Sequence, residues 1–567
     1  MRKPAICSLM ALLILSGLVS YSQVTQQWVQ RLGLSGNEHP IAMKTDASGN
    51  VYVLGSSNYL TFQDDILLVK YNSLGTLQWV QTYNGGSNAA DQPGGLAVDG
   101  AGNVYVSINS GYISGSTSTT QIVTRKYSTA GAILWTSYFL RPDLLPAGSN
   151  GIAVDASGNV YITGYTIVDA LAYDYMTIKY ASDGTQLWMN TYNGAANSSD
   201  MSLFIALDPA GNVYITGQSI GQQRTKLGIR LTYYDYVTFK YAPDGTQLWR
   251  QSYNGSSHHD IPKGLFVDNV GNVYVTGQSD NGTNQDFATV KYSTDGLQQW
   301  VVRYNGPANG NDGARGIVAD NSGNVTVTGY TDIGGGNYNY ATIRYNASGI
   351  QQWISQYNGT GNGADVATAI GSDIYGSIYV TGESVGTAGY DYVTVKYSSS
   401  GGQLWLQRYN GTAGTADKAT ALAILNPTGP VAGNASVYVT GGSQGTGEDF
   451  TTLKYTQQLI VAGAAVSDVK AEKISNESGA AFFNTPNPFS SSTVISYRLP
   501  EDAHVSIALY DVSGRALGLL EQGWKKRGTY TLNYAPGSLV SGHYICRLTV
   551  QREGKTQVMN RMLLLQR

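Results

Sequence analysis

Three stretches of the chain match G-x-S-x-G, the spacing of a serine nucleophile elbow: GQSIG at 217–221, GESVG at 382–386 and GGSQG at 441–445. An elbow needs a strand, a sharp turn and then a helix, so that the hydroxyl stands clear of the backbone. Each match here follows one short β-branched run and precedes another, which makes the pattern a by-product of a repeat. His258 and His259 stand beside Asp260 as the one histidine cluster of the body. Two imidazoles and a carboxylate on a loop suit part of a metal site, or simply a polar surface. Gly359-Thr360-Gly361-Asn362-Gly363 has the glycines of a dinucleotide loop without the helix that must follow one, and HExxH, CxxC, EF-hand and Walker patterns do not occur.

Aspartates recur at two positions of the repeating unit. One series comprises Asp65, Asp174, Asp235, Asp286, Asp391 and Asp449, with Gln121 and Asn339 as substitutes; the other comprises Asp91, Asp200, Asp260, Asp312, Asp365 and Asp417. Carboxylates gathered round a channel suit Ca²⁺, which takes several oxygen ligands, or steer a cationic partner. The competing reading is that each accepts backbone N–H groups at the start of a strand, the same contact in every unit. Repetition favours that second reading, so a dedicated site is expected where units differ. The largest difference is the loop from Gln218 to Tyr236, which puts Arg224, Lys226 and Arg230 on an acidic body. Others are RPDLLP at 141–146, GNVTV at 323 and GSIYV at 376. The candidate ligand-binding residues are therefore Arg224, Lys226, Arg230, Asp235, Asp260, Asp312, Asp365 and Asp417; no residue is assigned as catalytic or as a metal ligand.

These residues are positioned by a unit of about 53 residues. Read from Gly316, it runs GIVAD, NSGN, VTVTG, a loop, YATIRY, NASG and IQQWISQYNG. Four short runs rich in β-branched and aromatic residues are separated by Asp/Asn-Gly turns, the chemistry of tight antiparallel connections. Four such strands make a propeller blade. First strands recur near Ile41, Leu96, Ile152, Ile205, Leu265, Ile317, Ile370 and Leu422, whereas fourth-strand tryptophans occur only at 79, 135, 188, 249, 300, 353 and 405. The missing one, Trp28, precedes the first unit. An N-terminal strand that completes the last blade closes the ring and removes an exposed edge. The expectation is an all-β chain: an eight-bladed β-propeller over 23–458, closed by its N-terminal strand. The two tight turns of each blade then share one rim, and the longer connections with their aspartates share the other.

The unit GNVYVTG…DYVTVKY…DGTQLW resembles the bacterial propeller repeat family called SBBP over nearly all of 24–458, which implies the fold and no particular activity. After 458 a small, polar, unpatterned stretch reads as a linker to 484, and residues 485–567 alternate like a small Ig-like β-sandwich. This tail is similar to the type A C-terminal sorting domain of the type IX secretion system of Bacteroidota. The matching parts are Asn487-Pro488-Phe489, the run holding Asp511, Gly514 and Arg515, the run holding Gly542 and Tyr544, and the terminal apolar strand. The resemblance implies the type IX machinery as a partner of 485–567, passage across the outer membrane, and display on the surface or release.

Export is also expected from the other terminus. Arg2 and Lys3 precede an apolar run from Ile6 to Val19, followed by Ser20 and Ser22, the plan of a signal peptide over 1–22. Nothing after it approaches the roughly 20 apolar residues of a membrane span. Cys546 is then the one cysteine left, in the apolar run YICRLTV, and suits a core position. Residues 23–485 hold 23 Lys+Arg against 33 Asp+Glu, and residues 486–567 hold 10 against 5. An acidic body excludes the basic footprint that nucleic acid requires. What remains is a monomeric, secreted or surface-held binding module for a glycan, protein or peptide, acting through tyrosines and polar loops and without an obligatory cofactor. The rivals are a hydrolase or lyase with paired carboxylates at the channel mouth, and a purely structural surface protein.

Overall fold

The computed structural model describes residues 24–457 and 482–566, apart from position 35 and short segments at 59–63, 87–88, 168–171, 227–228, 256–257, 388, 412–413, 415, 427–434, 446, 512–515, 537–538, 540–541 and 553–554. The signal peptide and most of the linker expected from the sequence lie outside them. Every regular element among the described residues is a β-strand, and no helix is long and apolar enough to cross a membrane.

Residues 24–457 form eight antiparallel four-stranded sheets. Seven are consecutive in sequence: sheet 1 (38–83), sheet 2 (91–139), sheet 3 (147–192), sheet 4 (201–253), sheet 5 (260–304), sheet 6 (313–357) and sheet 7 (365–409). Sheet 8 takes three strands from 417–457 and its fourth from the N-terminus, Val24–Leu32, with Val24 opposite Gln457 and Leu32 opposite Phe450. The first strand of each sheet packs on that of the next, and the first strand of sheet 8 packs on that of sheet 1.

The turn between first and second strands explains the GNVYVTG signature. In sheet 5 the Asp268 carboxylate accepts the backbone N–H groups of Val270 (3.1 Å) and Asn272 (2.8 Å), the Asn272 side-chain N–H (2.8 Å) and the Tyr274 O–H (3.2 Å). Gly271 stands there at φ 88°, which a side chain would oppose. One aspartate thus satisfies the turn and ties it to a fully buried tyrosine. That ring meets the next element of the code: the third-strand lysine, Lys291, lies 5.3 Å from its centroid.

Between neighbouring sheets the tryptophan is the staple. Trp249 of sheet 4 donates its indole N–H to the Thr294 carbonyl of sheet 5 at 3.0 Å, and Lys240 donates to the same oxygen at 3.1 Å. The turn offering that carbonyl must be bare, because a Cβ on Gly296 (φ 81°) would lie 2.7 Å from the Trp249 ring. The same bonds join sheets that are distant in sequence: Trp28 and Lys454 donate to Ser73 O at 3.3 and 3.0 Å. Where sheet 8 lacks a covalent turn between its third and fourth strands, Gln457 supplies the acceptor, its side-chain oxygen receiving Lys396 (2.6 Å) and Trp405 (3.2 Å).

In the C-terminal unit a three-stranded and a four-stranded antiparallel sheet share one core that includes Phe489, Ile507, Tyr544, Leu548 and Leu563. Its first strand is Phe482–Thr485, paired with 494–497, so the expected linker ends three residues sooner than 484. The physical reason is Phe482, an aromatic buried in this core that the polar composition of the linker masked.

Candidate functional site

The aspartates that begin the first strands do not form a solvent-facing acidic ring. Asp91, Asp200, Asp260, Asp312, Asp365 and Asp417 are all 0–1 % exposed. Their carboxylates accept the backbone N–H of Gly85 (2.7 Å), Gly194 (2.5 Å), Gly255 (2.9 Å), Gly306 (2.6 Å), Gly359 (2.6 Å) and Gly411 (2.6 Å). Asp200, Asp312 and Asp365 accept a second N–H, from Ile220, Asp332 and Val385, each at 3.0 Å. The carboxylate joins the end of one sheet to the start of the next. Burial pushes Asp91, Asp200, Asp260 and Asp312 above the usual carboxylate range. Asp260, Asp312, Asp365 and Asp417, expected on a solvent-facing ring, are instead buried, and each accepts at least one backbone N–H. Among the described residues no three His, Cys, Asp or Glu side chains come together as a metal cage.

The second aspartate series divides by the fourth-strand residue that stands opposite the position two residues further along the third strand. Asp286 pairs with Arg303 (3.1 Å), Asp449 with Arg31 (2.6 Å), and Asp391 with Arg408. Sheets 1, 3 and 4 carry Thr82, Thr191 and Ser252 where those arginines stand, and their aspartates, Asp65, Asp174 and Asp235, are nonetheless buried. Asp235 is pushed up to about 6, first by burial and then by the charge of Asp260, against a hydrogen bond from Asn254.

The G-x-S-x-G matches resolve into this same architecture. A Cβ on Gly217 would lie 2.0 Å from Met201 O, and one on Gly221 2.0 Å from the Asp235 carboxylate. Ser219, Ser384 and Ser443 between such glycines are buried. In sheet 7 the Ser384 hydroxyl accepts from Arg408 at 2.9 Å, so it faces a cation and not a general base.

The departures from the repeat have different fates. GNVTV at 323 places Thr326 where other sheets hold tyrosine, and Arg344 where they hold lysine; the Arg344 guanidinium pairs with Asp320 and reaches Thr326 Oγ1 at 3.3 Å. At GSIYV, Tyr379 still donates to Asp373 (2.8 Å), so this departure also keeps the turn. In RPDLLP, Arg141 grips Asp143 through two bonds of 2.9 and 2.5 Å, and buried Ala147 takes the strand-start place of the aspartate.

The Gln218–Tyr236 segment is not a loop but a lengthened hairpin, Val213–Lys226 against Ile229–Tyr241. Arg224 is opposite Leu231, Arg230 opposite Thr225 and Lys226 opposite Ile229; the side chains of 222–231 lie outside the described residues. At the base of this hairpin, Tyr233 meets His258 and His259 at ring-centroid distances of 5.1 and 5.4 Å, and Tyr234 meets His259 at 5.5 Å. His259 Nδ1 accepts the Tyr234 N–H at 3.3 Å. The histidine pair is thus part of a four-ring cluster, all four partly exposed. The sequence contained both halves, but 23 residues lie between Tyr234 and His258, and only the packing of sheet 5 on sheet 4 brings them together.

Concave surface lies on the opposite rim. Hollows of about 510 and 450 Å³ are lined by the first-turn residues of three successive sheets each, including Asp155, Asp208 and Asp268 in one and Asp320, Arg344 and Asp373 in the other.

In the C-terminal unit Phe489 is buried and runs beside the last strand: its N–H donates to Leu564 O (2.9 Å) and its carbonyl accepts from Gln566 (2.8 Å). Asn487 brackets the same strand, donating to Met562 O (2.7 Å) and accepting from Leu564 N–H (2.8 Å). Pro488 lies between them. Tyr544 is a core residue paired across the sheet with Asp511, and Gly542 begins that strand. Gly514 and Arg515 lie outside the described residues. Cys546 is buried, and burial pushes its thiol up to about 12.

A family model described as Beta-propeller repeat, SBBP, matches residues 149–170 and 248–284. These two stretches are β-propeller repeats by that description, and they lie in sheet 3 and in sheets 4 and 5. Over 399 residues, 59 % of its length, the propeller chain is 25 % identical to an uncharacterized WD repeat-containing protein of Acanthamoeba polyphaga mimivirus, of which it spans only 27 %. Among solved structures it is similar to a protein of unknown function from Dyadobacter fermentans (9 % identity, 77 % of this chain and 99 % of that one, TM-score 0.33). It is also similar to Sqt1 from Chaetomium thermophilum (12 % identity, 65 % and 97 %, TM-score 0.32). A third is PorZ, a surface component of the type IX secretion system of Porphyromonas gingivalis (12 % identity, 96 % and 93 %, TM-score 0.24).

Proposed function

We propose that the protein is an exported binding module: an eight-bladed propeller closed by its N-terminal strand, carrying a ligand surface where sheets 4 and 5 depart from the repeat, and followed by an Ig-like sorting sandwich. The observation that carries the binding reading is the cluster of Tyr233, Tyr234, His258 and His259 under the lengthened hairpin. The repeating aspartates of that rim are buried or partly buried, bonded to backbone N–H groups in one series and paired with arginines in three sheets of the other. A partly exposed set of aromatic rings offers apolar faces with hydroxyl and imidazole edges, the surface that sugar rings and extended peptides share. Arg224, Lys226 and Arg230 on the hairpin add positive charge, so the preferred ligand is an acidic or neutral glycan, or a peptide. The glycan reading is tested by passing the full chain and its Tyr233→Ala/His259→Ala variant over arrays of cell-envelope polysaccharides. Retention of the parent and loss in the variant support it, and equal behaviour of the two removes this face from the function.

Secretion through a cleaved leader, recognition of 485–567 by type IX machinery, and a surface location of the mature chain belong to the same proposal. Its support is the match of the Asn487-Pro488-Phe489 run to the sorting-domain pattern, joined to the bracketing of the last strand by those residues. Removing 482–567 is expected to leave the propeller in the periplasm. Surface display of that truncated chain would refute the sorting role.

A further inference from the structure

Every first strand carries a β-bulge at the same place, one residue skipped between its third and fifth positions in most sheets. First strands are the edges by which successive sheets pack on one another, so the bulged residues form a series round the middle of the circuit. Where the bulged residue is neutral and polar it bonds to the next sheet: Asn150 donates to Ser202 O (2.9 Å), Thr368 to Ala419 O (2.8 Å) and Thr420 to Pro40 O (2.9 Å). Sheets 5 and 6 break this series with Lys263 and Arg315. Among the described residues neither cation forms a hydrogen bond or an ion pair, in a body whose net charge is acidic.

We infer that Lys263 and Arg315 together form an oxyanion site on the inner edges of sheets 5 and 6, taking a carboxylate, sulfate or phosphate group. The two backbones adjoin closely at this point: a Cβ on Gly264 would lie 3.1 Å from Ile317 Cγ2 and 3.6 Å from Gly316 Cα. Arg315 is held in place, its guanidinium 5.4 Å over the Tyr330 ring. Tyr330 is itself tied to sheet 5, its hydroxyl accepting from Gln278 Nε2 at 2.6 Å. The guanidinium therefore keeps its fork of donors for a planar anion, and the ammonium adds a point charge beside it. The carboxylates three residues earlier on each strand, Asp260 and Asp312, are engaged by Gly255 and Gly306 N–H groups and do not neutralise the pair. Burial first, and then the charge of the neighbouring guanidinium, push the Lys263 ammonium below its ordinary value, and a bound anion would offset both.

This site is separate from the aromatic face of sheets 4 and 5, and the two can fail independently. The test titrates sodium sulfate, sodium phosphate and tetragalacturonate into the full chain against chloride at constant ionic strength, read by calorimetry and melting temperature. At least one probe is expected to bind saturably and to raise the melting temperature. Lys263→Ala and Arg315→Ala should each weaken it at least tenfold, and the double variant should abolish it, while glycan retention by the Tyr233 face is unchanged. Sulfate or phosphate binding marks a free anion, and binding of the oligouronate alone marks a polymer-borne carboxylate. Binding of none of the three, or binding unaltered in the double variant, overturns the proposal. Lys263→Gln, which keeps the volume and removes the charge, serves as the same test if the double variant does not fold.

Discussion

Sheets 5 and 6 solve one problem with different residues. In sheet 5, Asp268 of the first turn receives the Tyr274 hydroxyl, and Lys291 lies over the tyrosine ring. In sheet 6 the tyrosine is Thr326 and the lysine is Arg344, whose guanidinium spans the space the ring leaves and pairs with Asp320 directly. Two substitutions preserve the carboxylate contact, so the most visible irregularity of the signature is a repacking. Sheet 4 shows the opposite case. Asp235 stands where Asp286 has Arg303, but Ser252 replaces the arginine and the carboxylate is pushed up to about 6. A departure becomes informative when no opposite charge answers it; among the described residues Asp235 has only a hydrogen bond from Asn254.

The comparison can be broken most severely by Tyr274→Thr in sheet 5. It leaves a ring-sized cavity and frees Asp268, and should cost about 3–4 kcal/mol in urea denaturation. Adding Lys291→Arg should recover about 1 kcal/mol, since it rebuilds the sheet 6 arrangement; strict additivity of the two changes would show that the pairs are not equivalent. Next in size is Arg344→Ala, which leaves Asp320 only its turn hydrogen bonds from Ser322 and Asn324 and opens a cavity beside Thr326; it is expected to cost about 2 kcal/mol, against about 1 kcal/mol for Lys291→Ala, where Tyr274 still serves Asp268. Gly296→Ala should cost about 2 kcal/mol, because it combines a positive φ with contact against Trp249, and a smaller loss would mean that the staple yields.

The smallest effect sharpens the sheet 4 side. Asp235 has a folded pKa above its unfolded one, so the native state binds the extra proton and stability falls as pH rises from about 4 through about 6. Asp235→Asn should remove that fall and leave the protein about 1 kcal/mol more stable than the parent at pH 7.5, with no gain at pH 4. A variant that tracks the parent across this range would show that Asn254 and local water already satisfy the charge.

Much of the scaffold was legible because its rules are local. Asp-x-x-Gly-Asn followed by an alternating Val-Tyr-Val states a turn and the strand after it, and the positive φ at Gly271 is what that spacing demands. The displaced Trp28 pointed to the pairing of Val24–Leu32 with the last strand, since an unpartnered fourth strand at one end must find the sheet that lacks one. The candidate site was legible only in part. The aspartate series was visible as a pattern, but whether its oxygens face solvent depends on Gly85-type N–H groups five or six residues earlier in the chain and on the neighbouring sheet. The lengthened hairpin read as a loop because glycine and glutamine weaken its alternation, although its strands continue to pair to Lys226.

Strand identity and turn chemistry are set by the sequence alone, because each depends on side chains within a few residues of one another. Everything that separates scaffold from site waited for the tertiary structure. Tyr233 meets His259, Arg344 meets Asp320, and Lys263 stands beside Arg315 only because strands and sheets are brought side by side. Burial and charge balance are sums over such neighbours, and no short window of sequence contains them.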